Sequence, residues 1–345
     1  MVKPLVALAP LDGVTDPVFR GVVHSLAPAD LYSTEFVKAE HVTEDFLSRE
    51  REAARTMPTV VQLWGNDPDA YEAAAARVGR GPFVGIDINL GCAVPKILRK
   101  GYCAALMERP ALVRELVAAV RRGAPELPVS VKTRLADNDA ATDRWLGFLT
   151  DLEIDAAALH FRRMNRDYRS AADWSGAAGW AARFHAAGKR LFGNGDVLTR
   201  PEARRVAGRY GLDGVMIGRA VLRNPCAFAE DPTTSFVAVA ADQRIVLFRR
   251  HLAEVERLYG PEAFPRMKRY VATYLFDLPE AAKGVYGAPN FADARGVLSR
   301  GLPPGRRSAG ALGGGRSAEG GAEWPCFLTE GRSSFRHYEK EHQTR

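Results

Sequence analysis

Four features of this 345-residue chain have the residue types that chemistry needs. Cys92 ends the stretch Asn89-Leu90-Gly91-Cys92, a glycine-containing loop after an apolar run, where a thiol can serve as a general acid. Lys132 stands inside the apolar run Val129 to Thr133, and an ammonium buried there needs an anionic or electron-rich neighbour. His160 closes another apolar run with Arg162 two residues on, a setting that favours ligand contact. Two glycine-rich turns, Gly193-Asn194-Gly195-Asp196 and Gly218-Arg219, can offer backbone N–H groups to a phosphate. Each feature taken alone has a plainer reading: a small buried thiol, a lysine paired with an acid, a core histidine, a pair of tight turns.

The elements that carry these residues decide between the readings. Eight short apolar runs recur: Val6 to Leu8, Leu31 to Ser33, Val60 to Leu63, Ile86 to Leu90, Val129 to Thr133, Ala156 to His160, Arg190 to Phe192 and Val215 to Ile217. Between them lie Ala-, Glu- and Arg-rich stretches of helical periodicity, such as Asp69 to Val78 and Pro110 to Arg122. Eight strand–helix units within about 220 residues predict a (β/α)8 TIM barrel over residues 1–230. Active sites of such barrels form at the C-terminal strand ends, and the polar and glycine-rich clusters fall there. Gly-rich loops after strands seven and eight, opening onto helix N-termini, predict a phosphate-bearing cofactor or substrate.

Beyond residue 241 the strand pattern stops. Asp242 to Tyr259 and Glu262 to Leu278 read as two amphipathic helices of a small C-terminal helical domain over 241–300. Residues 301–322 are dominated by Gly, Ala, Ser, Pro and Arg, and the tail 301–345 is expected to be disordered. The net charge of +7 and the pI near 9.3 favour an anionic partner, and the C-terminal third is the more basic part. The four cysteines show no C-x-x-C spacing and no nearby histidine pairs, so no metal site and no disulfide framework are expected. No apolar run reaches the roughly 18–20 residues of a membrane span, and a cytoplasmic, soluble protein is expected. The sequence is silent on oligomeric state, and a monomer is assumed.

In combination these residues resemble the tRNA-dihydrouridine synthase family. The matching segments are LAPLDGVTDPVFR (8–20), VVQLWG (60–65), DINLGC (87–92), VSVKTRL (129–135), LHFR (159–162), FGNGDV (192–197) and DGVMIGRA (213–220), in the family's order. The resemblance implies a barrel that binds FMN, NADPH as the electron source, and tRNA as the partner whose uridines are reduced to 5,6-dihydrouridine. It implies that Cys92 protonates C5 of uracil while hydride reaches C6, and that Asn89 helps hold the base. Gln62, Lys132 and His160 would contact the flavin ring and ribityl chain, and Pro10 and Leu11 would border the ring. Asn194, Gly195, Asp196, Gly218 and Arg219 would surround the phosphate. Arg134 and Arg162 match positive positions near the substrate mouth, and Arg266, Lys268 and Arg269 match a basic segment suited to tRNA phosphates.

The chain departs from the family pattern at three places. Ala93 stands where Pro follows the catalytic Cys, with Pro95 two residues later. Cys103 replaces a Gly and is expected to be a packing substitution. Phe161 and Arg163 replace a Gly and a Thr after the strand-six His, and Phe161 is expected to narrow the FMN site or stack on a base. Two other functions fit the residues: an FMN-barrel oxidoreductase acting on a free pyrimidine, and a tRNA-binding module whose altered Cys loop has impaired catalysis.

Overall fold

The computed structural model describes residues 3–165 and 170–300; the tail from residue 301 and its expected disorder lie outside the described residues. Eight parallel strands pair in chain order: β1 (Leu5–Leu8), β2 (Leu31–Ser33), β3 (Thr59–Trp64), β4 (Gly85–Asn89), β5 (Val129–Leu135), β6 (Ala156–Arg163), β7 (Arg190–Asn194) and β8 (Gly214–Ile217). β8 returns to β1 with Leu5 opposite Gly214 and Leu8 opposite Ile217, which closes the expected (β/α)8 barrel. A two-residue strand, Val37–Lys38, adds to the end of β3 through Val37 and Leu63 and had no counterpart in the apolar pattern.

Seven helices follow the first seven strands: α1 (Pro17–Leu26), α2 (Glu44–Ala54), α3 (Pro68–Val78), α4 (Pro110–Gly123), α5 (Asp139–Thr150), α6 (Ala177–Ala186) and α7 (Arg200–Tyr210). Their starts are chemically marked. Asp16, Thr43, Asp67, Asn138 and Thr199 each accept a hydrogen bond from a first-turn N–H, a cap worth about 1 kcal/mol. In α4, Val113, Leu116, Val117 and Val120 recur at helical spacing and are all buried against the sheet. The small cluster Ala7, Ala9, Ala158, Phe192 and Met216 packs on the other face of its strands, inside the barrel.

After the barrel, α8 (Ala241–Tyr259) forms as expected, but the single helix expected over 262–278 does not. The chain there is a string of one-turn pieces, Phe264–Met267 and Val271–Tyr274 separated by the 3-10 turn Lys268–Tyr270. Pro265 can stand only at a helix start, and tertiary bonds claim the rest. The Tyr270 hydroxyl donates to the Val14 carbonyl (2.7 Å) and Thr273 Oγ1 to that of Leu222 (2.6 Å). Two further helices, α9 (Pro279–Gly287) and α10 (Phe291–Arg300), complete the described chain. Phe19 of α1 packs on Tyr270 (4.9 Å), so this helical segment shares a core with the barrel. Among the described residues no helix is long and apolar enough to cross a membrane.

Candidate active site

Strand register stacks the polar residues of the barrel in layers. Gln62 of β3 lies opposite Asp87 of β4, Asp87 opposite Ser130 of β5, Asn89 opposite Lys132, Arg134 opposite His160, and His160 opposite Asn194. Thirteen of the residues that sequence reasoning placed at the site, Pro10, Leu11, Gln62, Asn89, Cys92, Lys132, Arg134, His160, Asn194, Gly195, Asp196, Gly218 and Arg219, line one cavity of about 680 Å³. That volume falls in the ~300–1,000 Å³ range of small-molecule and cofactor sites.

The floor is an amide–carboxylate network. Gln62 Nε2 donates to Asp87 Oδ2 (2.6 Å), Ser130 Oγ donates to Asp87 Oδ1 (2.6 Å), and Asn89 Nδ2 donates to Gln62 Oε1 (2.9 Å). Burial pushes the Asp87 carboxyl up, against these two hydrogen bonds and the charge of Lys132. Asp87 and Ser130 were not singled out in the sequence; the signal was an acid inside the apolar stretch DINL, two residues before Asn89 and so on its face. Asn89 Oδ1 accepts from the N–H groups of Gly91 (3.1 Å) and Cys92 (3.0 Å). Its amide oxygen thereby fixes the Cys92 loop, while Nδ2, which gives one N–H to Gln62, has a second at the cavity wall. The loop is stiffened again at Pro95, which opens the one-turn helix Pro95–Leu98 where the family's Pro would have stood two residues earlier.

Cys103 fills buried space, as expected of a packing substitution, but it also lies against the Cys92 loop. It is fully buried in the left-handed region with φ 53°, a conformation that costs a residue bearing Cβ about 1–2 kcal/mol. The Ala104 N–H donates to the Cys92 carbonyl (3.2 Å), which brings the backbone at Cys103 against the Cys92 loop. The neighbouring Cys103 thiol pulls the Cys92 thiol down to about 6 against the opposing effect of burial, with the Val94 N–H and Arg134 adding to it. The Cys103 thiol is pushed up by the same partnership and by burial. The two thiols are thus pushed in opposite directions, Cys92 toward the thiolate and Cys103 toward the thiol.

The opposite wall is cationic. Lys132 Nζ donates to Asn194 Oδ1 (3.2 Å), and Asn194 Nδ2 donates to the Met216 carbonyl (2.9 Å). Burial brings the Lys132 ammonium down to about 8, opposed by Asp87. His160 faces Arg162 Nη1 through Nε2 (2.9 Å) and Arg134 Nη2 through Nδ1 (3.4 Å). Burial first, then the charges of Lys132, Arg134, Arg162 and Arg219, hold the imidazole down to about 2, so it is neutral at any working pH.

Arg162 is buried behind this wall rather than at the substrate mouth. Its guanidinium spans His160, the Ser170 carbonyl (2.8 Å) and both carboxylate oxygens of Asp196 (2.8 and 2.6 Å). Asp196 also accepts from Arg219 Nη2 (3.2 Å) and the Ala172 N–H (2.8 Å). A carboxylate only accepts, so Asp196 serves the site by orienting guanidinium groups. Gly195 adopts φ +136°, and a Cβ there would stand 2.7 Å from that of Ala172. The loop after β8 opens onto a four-residue 3-10 turn, Arg219–Leu222, not onto the α-helix expected there. Phe161 points away from the cavity and packs on Trp174 at 4.4 Å, so it neither narrows the site nor reaches a base.

A second cavity of about 510 Å³ also reaches Cys92 and Val94. Its walls mix aromatic, basic and acidic side chains, among them Phe36, Trp64, Lys38, Lys96, Glu35 and Glu50, and it runs to Tyr259 of α8. Nearby, Arg266 bonds Asp16 Oδ2 and Glu35 Oε2 (3.2 Å each) and stacks on Tyr259 (4.6 Å). It holds the helical segment to the barrel and is not offered to an outside phosphate. Lys268 donates to the Tyr286 carbonyl (2.8 Å), whereas the exposed Arg269 lies against Gly13 in the loop after β1.

The comparisons with known proteins agree with this geometry. The family model described as Dihydrouridine synthase (Dus) matches residues 7–285. A "Probable tRNA-dihydrouridine synthase" of Staphylococcus epidermidis is 30% identical over 309 residues, covering 86% of this chain and 93% of that protein. The "Probable tRNA-dihydrouridine synthase 2" of Bacillus subtilis is 33% identical over 289 residues, covering 79% and 85%. With its barrel, its Cys loop and a family match over most of its length, the chain belongs to the dihydrouridine synthase family.

Proposed function

We propose that this protein reduces uridines of tRNA to 5,6-dihydrouridine, with FMN as cofactor, NADPH as reductant and Cys92 as the proton donor. The observation that carries this reading is that Cys92 and the cationic wall of Lys132, Arg134 and His160 open onto one cavity. The residues fit FMN. A buried lysine and a histidine kept neutral among four cations favour an anionic group, and Gly195 lets backbone come close where a side chain would clash. When bound, FMN supplies the hydride that uracil C6 receives.

The chain's own residues do the rest. Asn89, through its two loop hydrogen bonds, fixes Cys92 at the edge of both cavities. Cys92 gives a proton to C5 as negative charge builds on the base, and is reprotonated from solvent through the cavities it lines. The Phe36, Trp64, Lys38 and Lys96 side of the second cavity supports a single-stranded base and its backbone entering beside Cys92, since rings stack on bases and ammonium groups neutralise phosphates. Lys268 and Arg269 extend basic surface toward the mouth.

Incubating the protein with unmodified tRNA and NADPH and mapping dihydrouridine by position tests this reading, with free uridine as the parallel substrate. Dihydrouridine in tRNA and none from free uridine is expected. Turnover of free uridine at an equal rate would favour a small-molecule reductase. Bound tRNA with no product and no NADPH oxidation would favour a binding module.

A further inference from the structure

The eleven-residue step from Cys92 to Cys103 folds back on itself: the Ala104 N–H donates to the Cys92 carbonyl (3.2 Å), and two cysteines far apart by any metal or redox motif become neighbours whose thiols perturb each other. They differ in access. Cys92 is half-buried and lines both cavities, whereas Cys103 is fully buried and is in the walls of neither. Arg134 and the Val94 N–H stand on the Cys92 side, where they favour a thiolate, and Cys103 keeps its proton. Cys226, the remaining cysteine among the described residues, is buried elsewhere in the core.

We propose that Cys92 and Cys103 form a hydroperoxide-reactive dithiol that closes as an intramolecular disulfide. The Cys92 thiolate attacks one oxygen of the hydroperoxide. The O–O bond breaks, the other oxygen leaves as water or alcohol after taking a proton from solvent, and Cys92 becomes a sulfenic acid. The Cys103 sulfur then attacks the Cys92 sulfur. The S–O bond breaks, hydroxide leaves as water with the Cys103 proton, and the S–S bond forms. Two electrons pass from the two sulfurs to one hydroperoxide, and an external dithiol restores both thiols by exchange. Oxidation at Cys92 comes first because only that sulfur faces the cavities. The buried partner then traps it before a second oxidant arrives. If Cys92 donates the proton in uridine reduction, a consequence that rests on the proposed function, the disulfide silences that reaction reversibly.

The test treats the full-length, flavin-loaded protein with hydrogen peroxide, blocks remaining thiols after denaturation with N-ethylmaleimide, and maps peptides by mass spectrometry. A Cys92–Cys103 linked peptide that disappears on treatment with dithiothreitol is expected, with Cys226 labelled throughout. Cys92 carried to sulfinic acid while Cys103 stays labelled, or both thiols labelled after exposure, would overturn the proposal. In Cys103→Ala, and in Cys103→Ser should that variant be insoluble, peroxide is expected to drive Cys92 to sulfinic acid that dithiothreitol does not reverse. Reversible protection of Cys92 in these variants would also overturn it. Dihydrouridine formation, scored for each variant against its own untreated sample, separates the two claims. A linked peptide with undiminished activity would leave the dithiol standing and refute Cys92 as the acid.

Discussion

Two clusters of buried charge in this molecule solve opposite problems. At the barrel mouth, Lys132, Arg134 and the half-exposed Arg219, with Arg162 buried behind them, gather around a neutral His160, and Asp196 holds two of the guanidiniums. At the junction between barrel and helical segment, three carboxylates, Asp16, Glu35 and Glu50, meet two guanidiniums, Arg20 and Arg266. The junction settles its surplus with a proton. Burial first, and then the neighbouring Asp16, push the Glu35 carboxyl up to about 7, and burial raises Asp16 and Glu50 as well. At the mouth the corresponding adjustment goes the other way, with Lys132 and His160 both inclined to lose protons. The junction's surplus charge is closed by its own ion pairs and a proton, although Glu35 and Glu50 also border the second cavity, whereas a cluster that sheds protons at the barrel mouth is suited to meet an anion.

The largest effect that would sharpen this contrast is at Cys92. Cys92→Ala is expected to keep FMN and tRNA binding while dihydrouridine formation falls by at least about a hundredfold, the contribution typical of a positioned acid. Product mapping in single-turnover reactions checks it, and a drop of less than about tenfold would remove Cys92 from the chemistry. Because the thiol is held down to about 6, the proton-donating form thins out above that pH. The rate is expected to fall toward higher pH, and Cys103→Ala is expected to move that limb up toward an ordinary thiol. Next is Lys132→Met, which is expected to weaken FMN affinity about tenfold or more with little change in Tm, since burial already disfavours its charge in the absence of an anion. Equal loss of FMN and of stability would make it a structural lysine.

The junction responds in stability instead. Glu35 has its folded pKa raised to about 7 from 4.5, so its contribution is fully present below about 4.5 and is lost as pH rises through 7. Glu35→Gln is expected to remove roughly 1–3 kcal/mol of pH dependence between those values without changing FMN content. Urea unfolding at pH 5 and pH 8 reads it, and an unchanged pH slope would break the assignment. Smallest is the effect of Lys268→Glu with Arg269→Glu, which is expected to reduce the salt slope of tRNA binding by about one for each phosphate the protein no longer neutralises. Arg266 is excluded from that test because reversing it would open the junction.

The barrel was legible in the sequence because all eight strands are apolar enough to stand out. β5 and β6 extend past the expected ends because Arg134, Arg162 and Arg163 remain in strand geometry, which a search for apolar runs stops short of. The strand Val37–Lys38 was not legible, since two residues carry no period. The site residues were legible as positions on strand ends, yet their partners were not. Nothing in the spacing tells that Asn89 fixes the Cys92 loop, that Arg162 turns behind His160, or that Cys103 folds onto Cys92. Those depend on how loops return, and loop return is set by tertiary hydrogen bonds such as Ala104 N–H to the Cys92 carbonyl. Arg266 shows the same limit. Its basic neighbours suggested a phosphate partner, and only the fold reveals the two carboxylates waiting for it.

The most direct measurement of the central claim compares FMN with riboflavin, which has the same ring and ribityl chain but no phosphate. Titrated into flavin-free protein and followed by flavin fluorescence, FMN is expected to bind at least about a hundredfold more tightly, since a phosphate in a cationic site accepts several charge-assisted hydrogen bonds at once. Equal affinity for the two flavins would contradict the reading of the cationic wall as an anion site.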